Sequence, residues 1–163
     1  MITFNADEVF EMAEQIERNG AGFYRRTAQV IQSPQVREIL LNLASMEDDH
    51  EKRFARMRTT LDESKRQSSV FDPEGDAALY LRAMADGRVF DTRVDPARLI
   101  TGRETAQEIL RTAIGLEKDS IVFYLGLRDL VPTAAGKKDI EDIIREEMAH
   151  ITTLSKQLAS LAT

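Results

Sequence analysis

The sequence predicts an all-α protein: a four-helix bundle made of two helical hairpins joined by a long crossover that contains a short helix. Three observations predict it. Apolar residues recur every three or four positions through most of the chain, and no run alternates long enough to build a sheet. Helix start and stop signals cut that periodic pattern into four long segments with one long interruption. The two hairpins also repeat each other: moved by 100 positions, Ala13 falls on Ala113, Glu17 on Glu117, Phe23-Tyr24 on Phe123-Tyr124, Glu47 on Glu147 and His50 on His150.

The first helix is expected from Ala6 to Ile31, with Asn5 as N-cap and Asp7 and Glu8 at the positive end of the dipole. Ser33-Pro34, a capping residue followed by proline at the first helical position, starts a second helix that runs to about Glu63. These two form a hairpin over about residues 5–63. A crossover of about forty residues (64–103) follows, in which Asp72-Pro73 opens a short helix through Ala77, Leu79, Leu81 and Met84, closed by Gly87. The third helix begins near Thr101 or Thr105, since Thr101-x-x-Glu104 and Thr105-x-x-Glu108 are both capping-box patterns, and it stops before Pro132. The fourth runs from about Thr133 to Leu161 and completes a second hairpin over 104–161. All 163 residues are expected to form one domain.

Composition narrows the chemistry. There are no cysteines, which excludes thiolate-held zinc and iron–sulfur centres, so electrons for any redox reaction must come from outside the chain. A net charge of −6 argues against nucleic acid as a partner. No segment approaches roughly 18 uninterrupted apolar residues, and the start lacks a signal-peptide pattern, so no membrane association and a cytoplasmic location are expected.

The helical stripes hold polar residues where apolar ones belong. In the second helix Val36, Leu40, Leu43, Glu47, His50, Phe54, Met57 and Leu61 step by three or four, so Glu47 and His50 face the core. Ile140, Ile143, Glu147, His150, Leu154 and Leu161 do the same in the fourth. Glu17 shares a face with Ala13, Ile16, Gly20, Phe23, Tyr24 and Thr27; Glu117 shares one with Ala113, Leu116, Ser120, Phe123, Tyr124 and Leu127. Four carboxylates and two imidazoles are thus expected to converge at mid-bundle. Each carboxylate buried alone would cost several kcal/mol or take up a proton. Two divalent cations balance four carboxylates, and oxygen-rich ligation with one imidazole per ion suits iron or manganese, with zinc also able to occupy the site.

A single Glu-x-x-His is common by chance and usually lies on a solvated face. Its recurrence at matched positions, with a partner glutamate on each remaining helix, makes Glu17, Glu47, His50, Glu117, Glu147 and His150 the expected metal ligands. Tyr24 and Tyr124 are read either as core aromatics or as donors that orient a ligating carboxylate. Phe23, Phe54 and Phe123 are read as packing. Glu14, Asp48, Asp49 and Glu146 are assigned to the solvated surface, Glu14 with a weak claim to an iron access path.

The six-residue constellation, the Phe-Tyr pairs and the segment from Tyr80 to Phe90 resemble the rubrerythrin-like branch of the ferritin-like di-iron carboxylate superfamily over nearly the whole chain. The ligand set is also similar to that of bacterioferritins. The resemblance implies a ferritin-like bundle in which Glu17 and Glu117 are terminal ligands, Glu47 and Glu147 bridge two irons, and His50 and His150 complete one ion each. It implies oxidation of Fe(II) by hydrogen peroxide or dioxygen, in a rubrerythrin-like peroxide reductase or a ferroxidase, supplied by an external electron-donor protein. Two departures are visible. The position of the additional rubrerythrin ligand, one turn after the third-helix glutamate, is Ser120, with Gly20 in the first half; and a rubredoxin-like domain is excluded by the lack of cysteine. A module that binds or buffers iron without catalysis is the competing reading, and an oxygenase acting on an organic substrate a third. The long linker points to a homodimer, with helix exchange between subunits within its reach.

Overall fold

The structure, a computed structural model, describes residues 6–61, 79–80, 100–131 and 134–161. Four long helices account for nearly all of these residues: α1 (Ala6–Val30), α2 (Pro34–Thr59), α3 (Ala106–Leu130) and α4 (Ala134–Ser160). The Asn5 cap, the Pro132-Thr133 break and the expected crossover helix, apart from Leu79 and Tyr80, lie outside the described residues. Those two residues are helical, and the Tyr80 hydroxyl donates to the Val122 carbonyl of α3 at 2.7 Å.

Local chemistry sets the helix ends. Ser33 caps α2 by accepting from the Val36 N–H at 3.3 Å, with Pro34 at the first helical position. Arg37 then reaches back to the end of α1, donating from Nε to the Ala28 carbonyl at 3.1 Å and from an Nη to the Ile31 carbonyl at 2.9 Å. It thereby satisfies carbonyls that a helix end leaves without partners. Of the two candidate starts for α3, Thr105 is the N-cap: it accepts from the Glu108 N–H while Glu108 accepts from the Thr105 N–H. Thr101 and Glu104 instead stabilise a turn before the helix, where Gly102 takes a φ of 84° that favours glycine. α2 stops at Thr59, short of the expected Glu63. The Thr59 and Thr60 hydroxyls donate to the Arg56 and Met57 carbonyls at 2.8 and 2.7 Å and take up the last acceptors of the helix.

The core is divided in two. Val9, Phe10 and Ile16 of α1 pack with Phe54 and Met57 of α2, Phe123 and Leu127 of α3, and Ile140, Ile143 and Ile144 of α4. At the other end Ala28 and Ile31 pack with Val36, Leu40 and Leu43, with Ile109 and Leu110, and with Leu154. The beginnings of α1 and α4 therefore share one end of the bundle with the ends of α2 and α3. Adjacent helices run antiparallel, and α1 and α4 run parallel across the diagonal. Leu61 packs on the first cluster and Ile100 belongs to the second, so the crossover connects opposite ends of the bundle. Helices of about 25 residues make that span roughly 37 Å, which explains why the connection is long. Between the two apolar clusters lies the middle of all four helices.

Candidate metal centre

The expected polar residues meet in that middle layer. Glu17 on α1, Glu47 and His50 on α2, Glu117 on α3, and Glu147 and His150 on α4 are each at most 4% exposed. They form two overlapping groups, Glu17–Glu47–His50–Glu147 and Glu47–Glu117–Glu147–His150, each with one potential ligand atom per residue within 4.8 Å of the others. The two imidazole rings stack with centroids 5.6 Å apart.

Each histidine turns Nδ1 toward the carboxylates. His50 Nδ1 lies 3.1 Å from Glu147 Oε1, 3.5 Å from Glu47 Oε2 and 3.6 Å from Glu17 Oε2. His150 Nδ1 lies 2.9 Å from Glu147 Oε2, 3.3 Å from Glu47 Oε1 and 3.5 Å from Glu117 Oε1. Glu47 and Glu147 thus give one oxygen to each histidine, whereas Glu17 and Glu117 serve one side apiece. These are charge contacts in poor hydrogen-bond geometry: Glu47 Oε1, both Glu147 oxygens and both Nδ1 atoms are buried without a hydrogen-bond partner. Buried polar atoms without partners are costly. A cation between them would satisfy every one, and the donor set of carboxylate oxygens and imidazole nitrogen fits iron.

The tyrosines are tied to the centre. Tyr124 donates to Glu17 Oε1 at 2.5 Å and Tyr24 donates to Glu117 Oε1, so each hydroxyl crosses from one hairpin to the glutamate of the other. Both are completely buried, and burial followed by the facing glutamate charge drives their hydroxyls well above the usual phenol range. They stay protonated as donors.

Proton affinities within the cluster diverge. Burial, then repulsion from Glu47 and Glu147, raises Glu17 well above the ordinary carboxylate range, and the same influences raise Glu117. Burial also works against ionisation of Glu47 and Glu147. There, however, contacts with both histidines and with Glu17 or Glu117 outweigh it and lower both. Burial alone would lower His150, but the surrounding Glu117, Glu147 and Glu47 push it up to about 12, and His50 is raised likewise. Free of metal, the cluster draws protons toward Glu17, Glu117 and the histidines and negative charge toward Glu47 and Glu147.

Two residues assigned to the surface belong to this region. Glu146, only partly exposed, pairs with His50 Nε2 at 2.9 Å and receives Arg53 at 2.8 Å. Glu14 is buried beside Arg18 and Arg58, at 3.7 and 3.5 Å. Asp48 and Asp49 are surface residues, paired with Arg25 and Lys52. Ser120 is buried, and its hydroxyl donates to the Leu116 carbonyl of its own helix at 3.2 Å.

The four-helix bundle of two antiparallel hairpins, with a buried carboxylate–histidine cluster at its centre, has the ferritin-like fold. Residues 8–88 match the family model described as Rubrerythrin. Among solved structures it is similar to a Thermotoga maritima protein described as a ferritin-like diiron-carboxylate protein. The TM-score is 0.72 at 21% identity, covering 98% of this chain and 97% of the other, a likeness that shows the shared fold. No curated protein matches the sequence. No helix among the described residues is long and apolar enough to cross a membrane.

Proposed function

We propose that the chain is a di-iron redox protein that oxidises Fe(II) with hydrogen peroxide or dioxygen. The observation that carries the reading is the pair of overlapping four-residue groups that share Glu47 and Glu147. In it Glu17, Glu47, His50 and Glu147 would hold one ion, and Glu47, Glu117, Glu147 and His150 the other, the two shared glutamates serving both. Bound iron would supply the electrons and Lewis acidity for reduction of the oxidant. The protein's own part is to hold the ligands in place. Tyr24 and Tyr124 fix Glu117 and Glu17 by hydrogen bonds, and the apolar clusters on either side exclude water from the ends of the bundle. Reducing equivalents come from an external donor protein, and the working unit is a homodimer.

Ser120 favours the ferroxidase form of this activity over a peroxide reductase. Its hydroxyl is engaged with its own helix and supplies no additional carboxylate where rubrerythrins carry one. Zinc or manganese can compete for the same ligands. The test is metal analysis of protein from iron-supplied cells, then anaerobic reduction and stopped-flow mixing with peroxide or with dioxygen. About two irons per chain with rapid oxidation is the expected result, faster with dioxygen for a ferroxidase and faster with peroxide for a peroxide reductase. Bound iron that no oxidant alters would make the chain a buffering module instead, and no bound metal would remove the proposal's basis.

A further inference from the structure

The 100-position repeat holds for all six residues of the centre and fails in the layer behind them. His50 Nε2 meets Glu146 Oε2 at 2.9 Å, and Arg53 holds that carboxylate through Oε1 at 2.8 Å while donating to the Asp139 carbonyl at 3.0 Å. The positions related to Glu146 and Arg53 are Met46 and Thr153. Met46 offers no charged acceptor, and the Thr153 hydroxyl is turned to the Ala149 carbonyl of its own helix at 3.0 Å. His150 Nε2 accordingly lies buried with no hydrogen-bond partner. One imidazole is anchored from behind by a carboxylate that is itself clamped; the other is anchored by nothing among the described residues.

We infer that the two ion positions are built unequal: Glu146 acts as a positioning residue that makes the His50 position the tighter one, and the His150 position is the weaker, exchangeable one. The inference rests on the di-metal reading above. Its physical basis is that an acceptor on Nε2–H fixes the tautomer which leaves the Nδ1 lone pair free for the ion, holds the ring in orientation and raises its basicity as a ligand. At His150 the ring must hold that orientation without such a partner, and its Nε2 is buried with no protein acceptor among the described residues, so a bound ion would be held less firmly. Of two bound ions, the one at the His150 position would exchange more readily than the one at the His50 position.

Calorimetric titration of metal-free protein with Co2+, in the absence of oxidant, tests this without reference to activity. Two resolved steps per chain are expected, and His150→Ala should remove only the weaker one. Glu146→Ala should weaken the tighter step about 10- to 100-fold and spare the other. Glu146→Gln, whose amide oxygen still accepts from Nε2–H, should retain most of the affinity. The double variant Met46→Glu with Thr153→Arg, which copies the clamp behind His150, should strengthen the weaker step, and the visible bands of Co2+ at that position should sharpen. Two indistinguishable steps in the unmodified chain, or equal weakening of both by Glu146→Ala, would overturn the inference and leave the two-ion centre standing. Absence of Co2+ binding would overturn both.

Discussion

At the residue scale, the distinction that matters is between glutamates that face one histidine and glutamates that face two. Glu47 directs Oε2 at His50 and Oε1 at His150, while Glu17 reaches only His50. Truncating Glu47 would therefore strip a ligand from both ion positions. Truncating Glu17 strips one. Glu47→Ala is expected to lose both metals, and Glu17→Ala to keep the weaker ion at His150, so metal titration to saturation should separate the two variants. Retention of two ions by Glu47→Ala would show that it does not bridge. The six residues are legible in the sequence because each is a polar residue standing on an apolar stripe, a violation visible in one dimension. Glu146 is not. It sits beside Glu147, off the stripe, and its contact with His50 depends on how α2 and α4 are set against each other; its repeat partner is Met46, so the duplication that exposes the ligands conceals it. Glu14 is hidden for a similar reason, since Arg18 and Arg58, which neutralise it, lie on two different helices.

At the element scale, the sequence is most legible where local chemistry is in control. Ser33-Pro34 and Thr105-x-x-Glu108 announce two helix starts because capping is decided within four residues. The end of α2 is less legible, because helical periodicity continues past Thr60 and the stop depends on hydroxyls that turn back on the helix. Helix interiors still leave room for improvement. Gly115, within α3, has open space where a Cβ would stand, with no heavy atom within 4 Å. It carries glycine's backbone entropy cost for no visible packing reason. Gly115→Ala should raise unfolding stability by about 0.8–1 kcal/mol, measured by chemical denaturation. Gly20 is a different case: a Cβ there would stand 3.5 Å from Glu47 Cγ, in ordinary contact with a residue of the centre. A stabilising substitution at Gly20 would therefore also touch metal binding, whereas one at Gly115 should leave it unchanged.

At the scale of the whole molecule, the bundle encloses a cluster that must be neutralised by protons or by metal, and the two states respond to pH in opposite ways. In the metal-free chain both histidines keep their protons far above the ordinary imidazole value of about 6.5, at which the unfolded chain releases them. The folded state then binds more protons than the unfolded one, so stability contributed by the histidines is complete below about pH 6.5 and declines as pH rises toward the folded values. Glu17 and Glu117, raised by burial, act in the same direction from about pH 4.3 upward; Glu47 and Glu147, lowered, gain their stabilising effect below that value and add no trend above it. Above pH 6 the histidines and the two raised glutamates therefore act in one direction. Metal reverses it, because two divalent ions replace the protons of Glu17, Glu117, His50 and His150, and the loaded native state binds fewer protons than the unfolded chain. The melting temperature of the metal-free chain should fall between pH 6 and pH 8, whereas under a fixed concentration of free Mn2+ it should rise over the same interval. Uptake of metal at pH 6 in weakly buffered solution should release protons, read with an indicator dye. A melting temperature that moves identically with pH in both states, with no proton release, would mean that the buried cluster is not where the metal binds.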